Sequence, residues 1–438
     1  MPCPLLIMND DADCQELLAA LQERFNPAET GGENTEDIVR AILGRVKTEG
    51  IDAVVDYTRR YDSPGFTAAQ FAIAREDLAQ AAASLSLDDA KAILDAADNI
   101  RAFHEGQKGQ SWFITRDDGS ILGQRQLAVD SAGLYIPGGQ GGTTPLLSSL
   151  LMNVIPAQVA GVKRIAIVSP PTSAGGISPY LMAAAHLLGI EEVYAAGGAW
   201  AVAALAYGAG PLQPVDVIAG PGNIYVATAK RLLIGTVGID MIAGPSEIFI
   251  IADETANAAW VAADMLSQAE HDPLASALCV TTSMTLANAV RKELARQTPI
   301  LPRAAIAGAS LRDYGAVIFT PTMEMAIALA NRIAPEHLEL QVTAPWALLP
   351  KIRHAGAVFM GHTTSESFGD YYAGPNHVLP TMGTARFASA LGVEVFVKKT
   401  SIVATSPAFA RASAEAVARL ARIEGLEAHA RSALCRLE

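Results

Sequence analysis

The chain has 438 residues, half of them hydrophobic, so a sizeable core can be buried and global disorder is excluded. Lys plus Arg number 32 against 45 Asp plus Glu, a net charge of -13, and without a basic run there is no electrostatic footprint for nucleic acid and no polybasic patch for an anionic membrane. The four cysteines, Cys3, Cys14, Cys279 and Cys435, show no C-x-x-C spacing, which argues against a disulfide framework and a thiolate zinc site and leaves His, carboxylate or amide ligands for any metal.

The first residues, Met1 to Leu18, meet acids at once and carry no basic segment, so a signal peptide is not expected and a cytoplasmic, soluble protein is. Residues 35–105 read as helical, because Asp37 to Leu43 and Asp88 to Phe103 place apolar residues three and four apart. From about residue 128 the pattern becomes strand and helix in alternation. Strand-like runs begin at Gly133, Arg164, Glu192, Asp216 and Met241, with helical patterns over Leu146 to Ala160, Ser178 to Leu188, Trp200 to Tyr207 and Tyr225 to Leu233. A second alternating unit carries strands at Glu247, Ala277, Ala316, His337 and Ala357. Its helices run from Ala256 to Glu270, Leu286 to Gln297, Met323 to Ile333 and Trp346 to His354. After Thr381 a separate tail ends in a helix from Phe409 to Leu426. Parallel strands need helical crossovers of this kind, so two Rossmann-like units are expected. Two uncharged stretches, Ser131 to Val162 and Val193 to Val215, are long enough to raise a membrane question. Glycines and prolines interrupt both, and buried α/β crossovers fit them better.

No G-x-G-x-x-G stands between a strand and a helix. The glycine-rich turns Gly138 to Gly142, Gly197-Gly198 and Gly220-Pro221-Gly222 follow strands, where backbone amides could meet a ligand, but each alone reads first as a tight connection. Gln268 and His271 are three apart at the end of a helix and share a face, a spacing that suits metal ligation. A His in the last turn before Asp272-Pro273 is also an ordinary helix stop. Glu336-His337 sets a carboxylate and an imidazole side by side at a helix-to-strand junction, which suits two proton transfers in one cleft or a solvated surface pair. Asp370 and His377 sit in a loop of turn-forming residues, and Glu424 and His429 lie near the chain end with nothing local to mark them.

Together these segments carry a resemblance. Gly244-Pro-Ser-Glu247, Leu266-Ser-Gln-Ala-Glu-His271, Ile333-Ala-Pro-Glu-His337, Gly369-Asp-Tyr, Gly374-Pro-Asn-His377 and Glu424-Gly-Leu-Glu-Ala-His429 are similar to the motifs of the histidinol dehydrogenase family, from roughly residue 35 to the end. The resemblance implies an α/β fold of two Rossmann-like doubly wound units, a helical N-terminal region and a C-terminal dimerisation tail. It implies zinc, one per subunit, held by Gln268, His271, Asp370 and His429, the last delivered by the partner subunit of a homodimer. Glu336 and His337 become the acid–base pair for a four-electron oxidation of L-histidinol through L-histidinal to L-histidine with two NAD. Ser246, His377 and Glu424, with Gln268, His271, His337, Asp370 and His429, line the substrate site, while Tyr135 and Asn223 match NAD-binding positions.

The expected organisation is an N-terminal arm (1–34) packing with the tail, a first Rossmann-like domain from 35–125 with 246–380 that carries most of the zinc site, a second on the NAD side (126–245), and a tail (381–438) reaching the partner. Two departures from the family pattern stand out. Gly198-Ala-Trp200 replaces Gly-Gly-Ala-Gln, so no cofactor role is assigned at 200, and Gln140 to Thr144 extend the glycine loop. A paralogue acting on another small alcohol, such as a sulfonated propanediol, is the alternative these departures suggest. A protein that keeps zinc or nucleotide without turnover is a further one, against which all zinc and acid–base positions are present.

Overall fold

In a computed structural model the described residues are 3–8, 15, 17–19, 21, 24, 35–138 and 144–437. Strand β1 (Leu5–Ile7) comes first, then helices α1 (Thr35–Glu49), α2 (Ile51–Tyr61), α3 (Arg75–Ala83) and α4 (Leu87–Glu105) and the hairpin β2 (Trp112–Thr115) and β3 (Ile121–Ala128). One alternating unit follows: β4 (Ser131–Tyr135), α5 (Leu147–Ala160), β5 (Arg164–Ser169), α6 (Pro179–Leu187), β6 (Glu192–Ala195), α7 (Gly198–Tyr207), β7 (Val217–Ala219), α8 (Ile224–Leu232) and β8 (Gly238–Ile239). The next opens with β9 (Glu247–Ala252), α9 (Ala258–Ala269), β10 (Ser276–Thr281), α10 (Met284–Gln297), α11 (Ala304–Asp313) and β11 (Gly315–Phe319). It closes with α12 (Met323–Ile333), β12 (His337–Gln341) and β13 (Ala357–Met360). The chain ends in β14 (Val397–Ala404), α13 (Pro407–Ile423) and α14 (Glu427–Leu434).

Among the described residues the first unit makes a five-stranded sheet in the order β6-β5-β4-β7-β8 and the second a six-stranded sheet in the order β1-β11-β10-β9-β12-β13. Every pairing in both is parallel. Each sheet winds outward from its first long strand, then reverses beside it, which is the doubly wound arrangement. The strands read as unbroken apolar runs because helices cover both faces. Along β9, Ile248, Ile250 and Ala252 enter one core and Phe249 and Ile251 the other, the two-residue period of a strand. No helix among the described residues is long and apolar enough to cross a membrane.

Some elements and contacts differ from those expected. Helices α1 to α4 pack largely on the five-stranded unit, where Val39, Ile42, Phe71 and Ile100 share one core with Leu134, Leu150, Ile167 and Leu205, and α4 also meets the 370–376 segment, Asn99 Nδ2 donating to Tyr372 O at 3.0 Å. Backbone bonds fix this docking: Ile73 N–H donates to Val193 O at 2.9 Å, and Ala195 N–H to Phe71 O at 2.7 Å, so residues 71–73 seal the β6 edge. The described part of the arm pairs β1 with the β11 edge, while Arg24 touches the start of the tail at Met382; the rest of 1–34 lies outside the described residues. The tail is not separate, since β14 runs antiparallel to β3 over eight residues. Pairing of β8 stops at Ile239, so the strand expected at Met241 is absent. Helix α11 is rich in Ala with a central Gly308, a composition that gives little periodic signal, and the sequence reading contains no element there.

Candidate active site

The segment 240–246 carries the chain from the C-terminal edge of the five-stranded sheet to the N-terminal edge of the six-stranded one. There β9 opens on Glu247 and β12 on His337, adjacent strands with His337 opposite Ile248. Parallel pairing therefore sets Glu247, Glu336 and His337 side by side, although 89 positions separate Glu247 from Glu336. Gly356 is required at this edge: its N–H donates to Pro335 O at 2.9 Å, and a Cβ would come within 2.6 Å of Glu336 O.

Glu336 and His337 are both buried. Glu336 Oε2 accepts the Glu247 N–H at 2.8 Å, and Glu336 N–H donates back to Glu247 Oε2 at 3.3 Å. His337 Nδ1 bonds the Glu247 carbonyl at 3.0 Å. A carbonyl only accepts, so Nδ1 carries a proton, and in the neutral ring Nε2 is the nitrogen that presents its lone pair. Nε2 is buried without a hydrogen-bond partner, 3.4 Å from Asp370 Oδ1 and out of line with it. Burial pushes the Glu336 carboxyl up to about 8, with His337 pulling the other way. Burial works against a charge on His337, yet Glu336, Asp370 and Glu366 outweigh it and hold the imidazole well above its ordinary range. Two proton carriers with perturbed affinities in one buried site are what general acid–base chemistry requires.

Gln268 comes from the last turn of α9, which Asn257 caps by accepting the Ala259 and Trp260 N–H groups at 2.9 and 3.3 Å. Its amide bonds Glu366 on one side, and its Oε1 is buried with no donor. An amide oxygen left bare in the interior is costly unless a cation or donor meets it. His271 follows the helix and is exposed by area, although its ring still loses hydration to the protein, which lowers its proton affinity while Asp370 opposes. Asp370 sits in the single π-turn Gly369–Ala373. Burial would raise its carboxyl, but His337, His377 and His271 together hold it below the usual range. His377 Nδ1 bonds Asp370 O at 2.9 Å, and its Nε2 lies 3.4 Å from Ser149 Oγ in the first turn of α5. One histidine thus ties the acid loop to the helix that follows the glycine loop of the other unit. Ser246 immediately precedes β9, its carbonyl accepting the Ser276 N–H at 3.0 Å.

The five-stranded sheet reverses between β4 and β7, where a crevice opens at the strand ends. Tyr135 ends β4 there, buried, its hydroxyl oxygen accepting the Gly198 N–H at 3.2 Å, and burial pushes the phenol up. Gly220 has φ 122°, and a Cβ would lie 2.1 Å from Tyr135 O. Asn223 caps α8, accepting the Tyr225 and Val226 N–H groups at 3.1 and 3.2 Å. Trp200 is buried, donating from Nε1 to Thr58 Oγ1 at 3.0 Å and stacked against Tyr57 and Tyr61 at 5.8 and 5.5 Å. The extension from Gln140 to Thr143 lies outside the described residues.

Sequence reasoning thus placed Gln268, His271, Glu336, His337, Asp370 and His377 in one neighbourhood. Glu424 and His429 are exposed on the tail, whose strand runs along β3, and they do not join these residues within the chain. It missed Arg24, Glu247 and the buried acids Asp264, Glu339 and Glu366. Glu247 stands in a quoted motif, yet its role shows only when β9 and β12 are paired. Glu339 and Gln341 alternate along β12 and meet Asp264 through the Gln341 amide at 3.0 and 3.3 Å.

The family model described as Histidinol dehydrogenase matches residues 26–437. The histidinol dehydrogenase of Nitratidesulfovibrio vulgaris is 59% identical over 436 residues, covering 100% of this chain and 99% of that protein. That of Oleidesulfovibrio alaskensis is 58% identical over 437 residues, covering 100% of both. The crystal structure of histidinol dehydrogenase from Elizabethkingia anophelis superposes with a TM-score of 0.91 at 34% identity, over 100% of this chain and 98% of that one. With near-complete coverage in sequence and fold alike, the chain belongs to the histidinol dehydrogenase family of NAD-dependent oxidoreductases.

Proposed function

We propose that the chain oxidises L-histidinol through L-histidinal to L-histidine, passing two hydrides to two NAD. The observation that carries this reading is the buried Glu336–His337 pair, whose free Nε2 faces Asp370 while the Glu336 carboxyl lies on the same wall. In the first step His337 Nε2 takes the hydroxyl proton as the carbinol hydride leaves for the nicotinamide. In the second, Glu336 takes a proton from the water that adds to the aldehyde, and the hydrate loses its hydride to a second NAD. Alcohol, water and two NAD become carboxylate, two NADH and three protons.

The residues fit zinc. Gln268 Oε1 is a buried acceptor without a donor, and His271 and Asp370 interact beside it. Gln268, His271 and Asp370 would hold the ion, with His429 supplied by a partner subunit; bound, it would fix the imidazole and amine of histidinol and so orient the alcohol carbon. Among the described residues no group of three His, Cys, Asp or Glu side chains gathers closely enough to hold a metal, and a set drawing only His271 and Asp370 of these types from one chain accords with that. The tail helix α13 presents Leu420 and Ile423 to solvent at 64% and 77%, an apolar stripe next to Glu424 that suits a homodimer contact. Ser246, His377 and the partner's Glu424 would contact the substrate.

The switch-point crevice fits a dinucleotide, with Tyr135 and Asn223 shaping its two sides. Trp200 is accounted for by packing against Tyr57 and Tyr61, so its presence gives no support to a different alcohol. The test is turnover of L-histidinol with NAD, with and without added zinc. Two NADH per histidine formed, lost on chelation and restored by zinc, is the expected result; no turnover by the zinc-loaded protein overturns it.

A further inference from the structure

We propose that Glu247, locked by Arg24 of the N-terminal arm, is a positioning residue for the Glu336–His337 pair. The inference rests on the reading of that pair as the proton carriers. Glu247 makes three separate contacts to it. Its N–H donates to Glu336 Oε2 at 2.8 Å, its Oε2 accepts the Glu336 N–H at 3.3 Å, and its carbonyl holds His337 Nδ1 at 3.0 Å. Its remaining carboxylate oxygen, Oε1, accepts from Arg24 Nη2.

Arg24 is fixed in turn. Nε donates to Leu21 O at 3.2 Å and Nη1 to Leu274 O at 3.0 Å, and the Arg24 and Glu247 side chains are 1% and 8% exposed. A buried ion pair is tolerable only when its remaining donors and acceptors are satisfied, and here both partners meet that condition. The arm also borders the same wall: Leu18, Leu21, Glu247, Pro335 and Met382 line one cavity of about 280 Å³ behind the pair. A residue 223 positions upstream of Glu247 therefore sets the carboxylate that sets Glu336.

The consequence is specific to one step. Without Arg24 the Glu247 carboxylate is stranded beside Glu336 and turns or takes a proton, and the reciprocal bond to the Glu336 backbone loosens. His337 is held through a backbone carbonyl, which no side-chain change removes. Aldehyde oxidation, assigned to Glu336, is therefore more sensitive than alcohol oxidation, assigned to His337. An amide at 247 has one acceptor oxygen where two are needed, so E247Q deprives either Arg24 or the Glu336 N–H.

The experiment measures kcat and KM for L-histidinol and for L-histidinal separately, in the zinc-loaded full chain, for wild type, R24K, R24M, E247Q and E336Q, with circular dichroism and thermal melting as checks of folding. Expected for folded R24M and for E247Q is a fall in kcat with L-histidinal of roughly 10²-fold, the scale of a 1 Å misplacement, a several-fold smaller fall with L-histidinol, and unchanged KM values; R24K recovers most of the loss. If R24M does not fold, E247Q and R24K decide. Equal losses in both steps, or no loss in either, overturn the positioning role. Wild-type turnover of L-histidinal by E336Q would instead show that the underlying acid–base reading is wrong.

Discussion

The two sheets meet at the site with opposite ends and opposite chemistry. The five-stranded unit offers the C-terminal ends of its strands, where Gly198, Gly220 and Gly222 allow close approaches that a side chain would block and Tyr135 and Asn223 are engaged in holding turns. The six-stranded unit offers the N-terminal ends of β9 and β12, and there the wall is charged side chain: Glu247, Glu336 and His337, with Asp370, Glu366 and Gln268 behind them. The first arrangement follows the usual rule for ligand sites on open α/β sheets, and the second reverses it. The reversal has a physical basis. A catalytic acid needs burial to raise its proton affinity, and strand starts pinned by parallel pairing on both sides supply burial without mobility. In the proposed function one edge receives a ligand by shape and the other moves protons.

Substitutions should therefore separate cleanly between the two edges. The largest effect is expected at the charged edge: H337N removes the free Nε2 and should lower kcat for L-histidinol by about 10²–10⁴-fold with near wild-type melting, as steady-state kinetics would reveal. Next is the support of Gln268. E366M removes the acceptor that orients the amide, whereas E366Q keeps one, so zinc affinity measured against a chromogenic chelator should weaken about 10–100-fold in E366M and little in E366Q. At the backbone edge, G220A forces a side chain into a left-handed position against Tyr135 O and should cost about 1–3 kcal/mol of stability by chemical denaturation. It should raise KM for NAD while KM for L-histidinol holds. Equal increases in both would blur the proposed division of labour.

The smallest effect is electrostatic. The carboxyl of Glu336 sits at about 8 in the folded chain, above its value of 4.5 when unfolded. The folded state thus binds that proton more tightly, so the stabilisation is present below pH 4.5 and is lost as pH rises through about 8. E336Q should accordingly melt higher relative to wild type at pH 9 than at pH 5. Scanning calorimetry at the two pH values would show it, and an unchanged difference would mean that Glu336 is not buried as a neutral acid.

Much of the architecture was legible because parallel strands covered on both faces must be apolar throughout, so β5, β9 and β10 announce themselves. The candidate site was legible as short motifs whose members are adjacent or three apart, such as Glu336-His337 and Gln268 with His271. What was hidden depends on contacts across long separations. Arg24 finds Glu247 over 223 positions, and no periodicity encodes that. Glu339 and Glu366 carry no local mark of burial in the sequence, yet folding buries both beside Asp264 and Gln268. Helices α1 to α4 are amphipathic, but a stripe does not name its partner, and their docking on the five-stranded unit follows from residues 71–73 completing the β6 edge. Trp200 stands out in the sequence as a departure from the family pattern, and only the fold shows that it stacks on Tyr57 and Tyr61.

In the proposed function one buried pair at the charged edge serves two successive oxidations. The most direct test of this is the product ratio of E336Q during turnover of L-histidinol with NAD, with the aldehyde trapped by a hydrazine and quantified beside histidine and NADH. E336Q should form NADH and trapped L-histidinal in equal amounts with little histidine, whereas wild type should yield two NADH per histidine. Histidine produced by E336Q at the wild-type ratio and rate would contradict it.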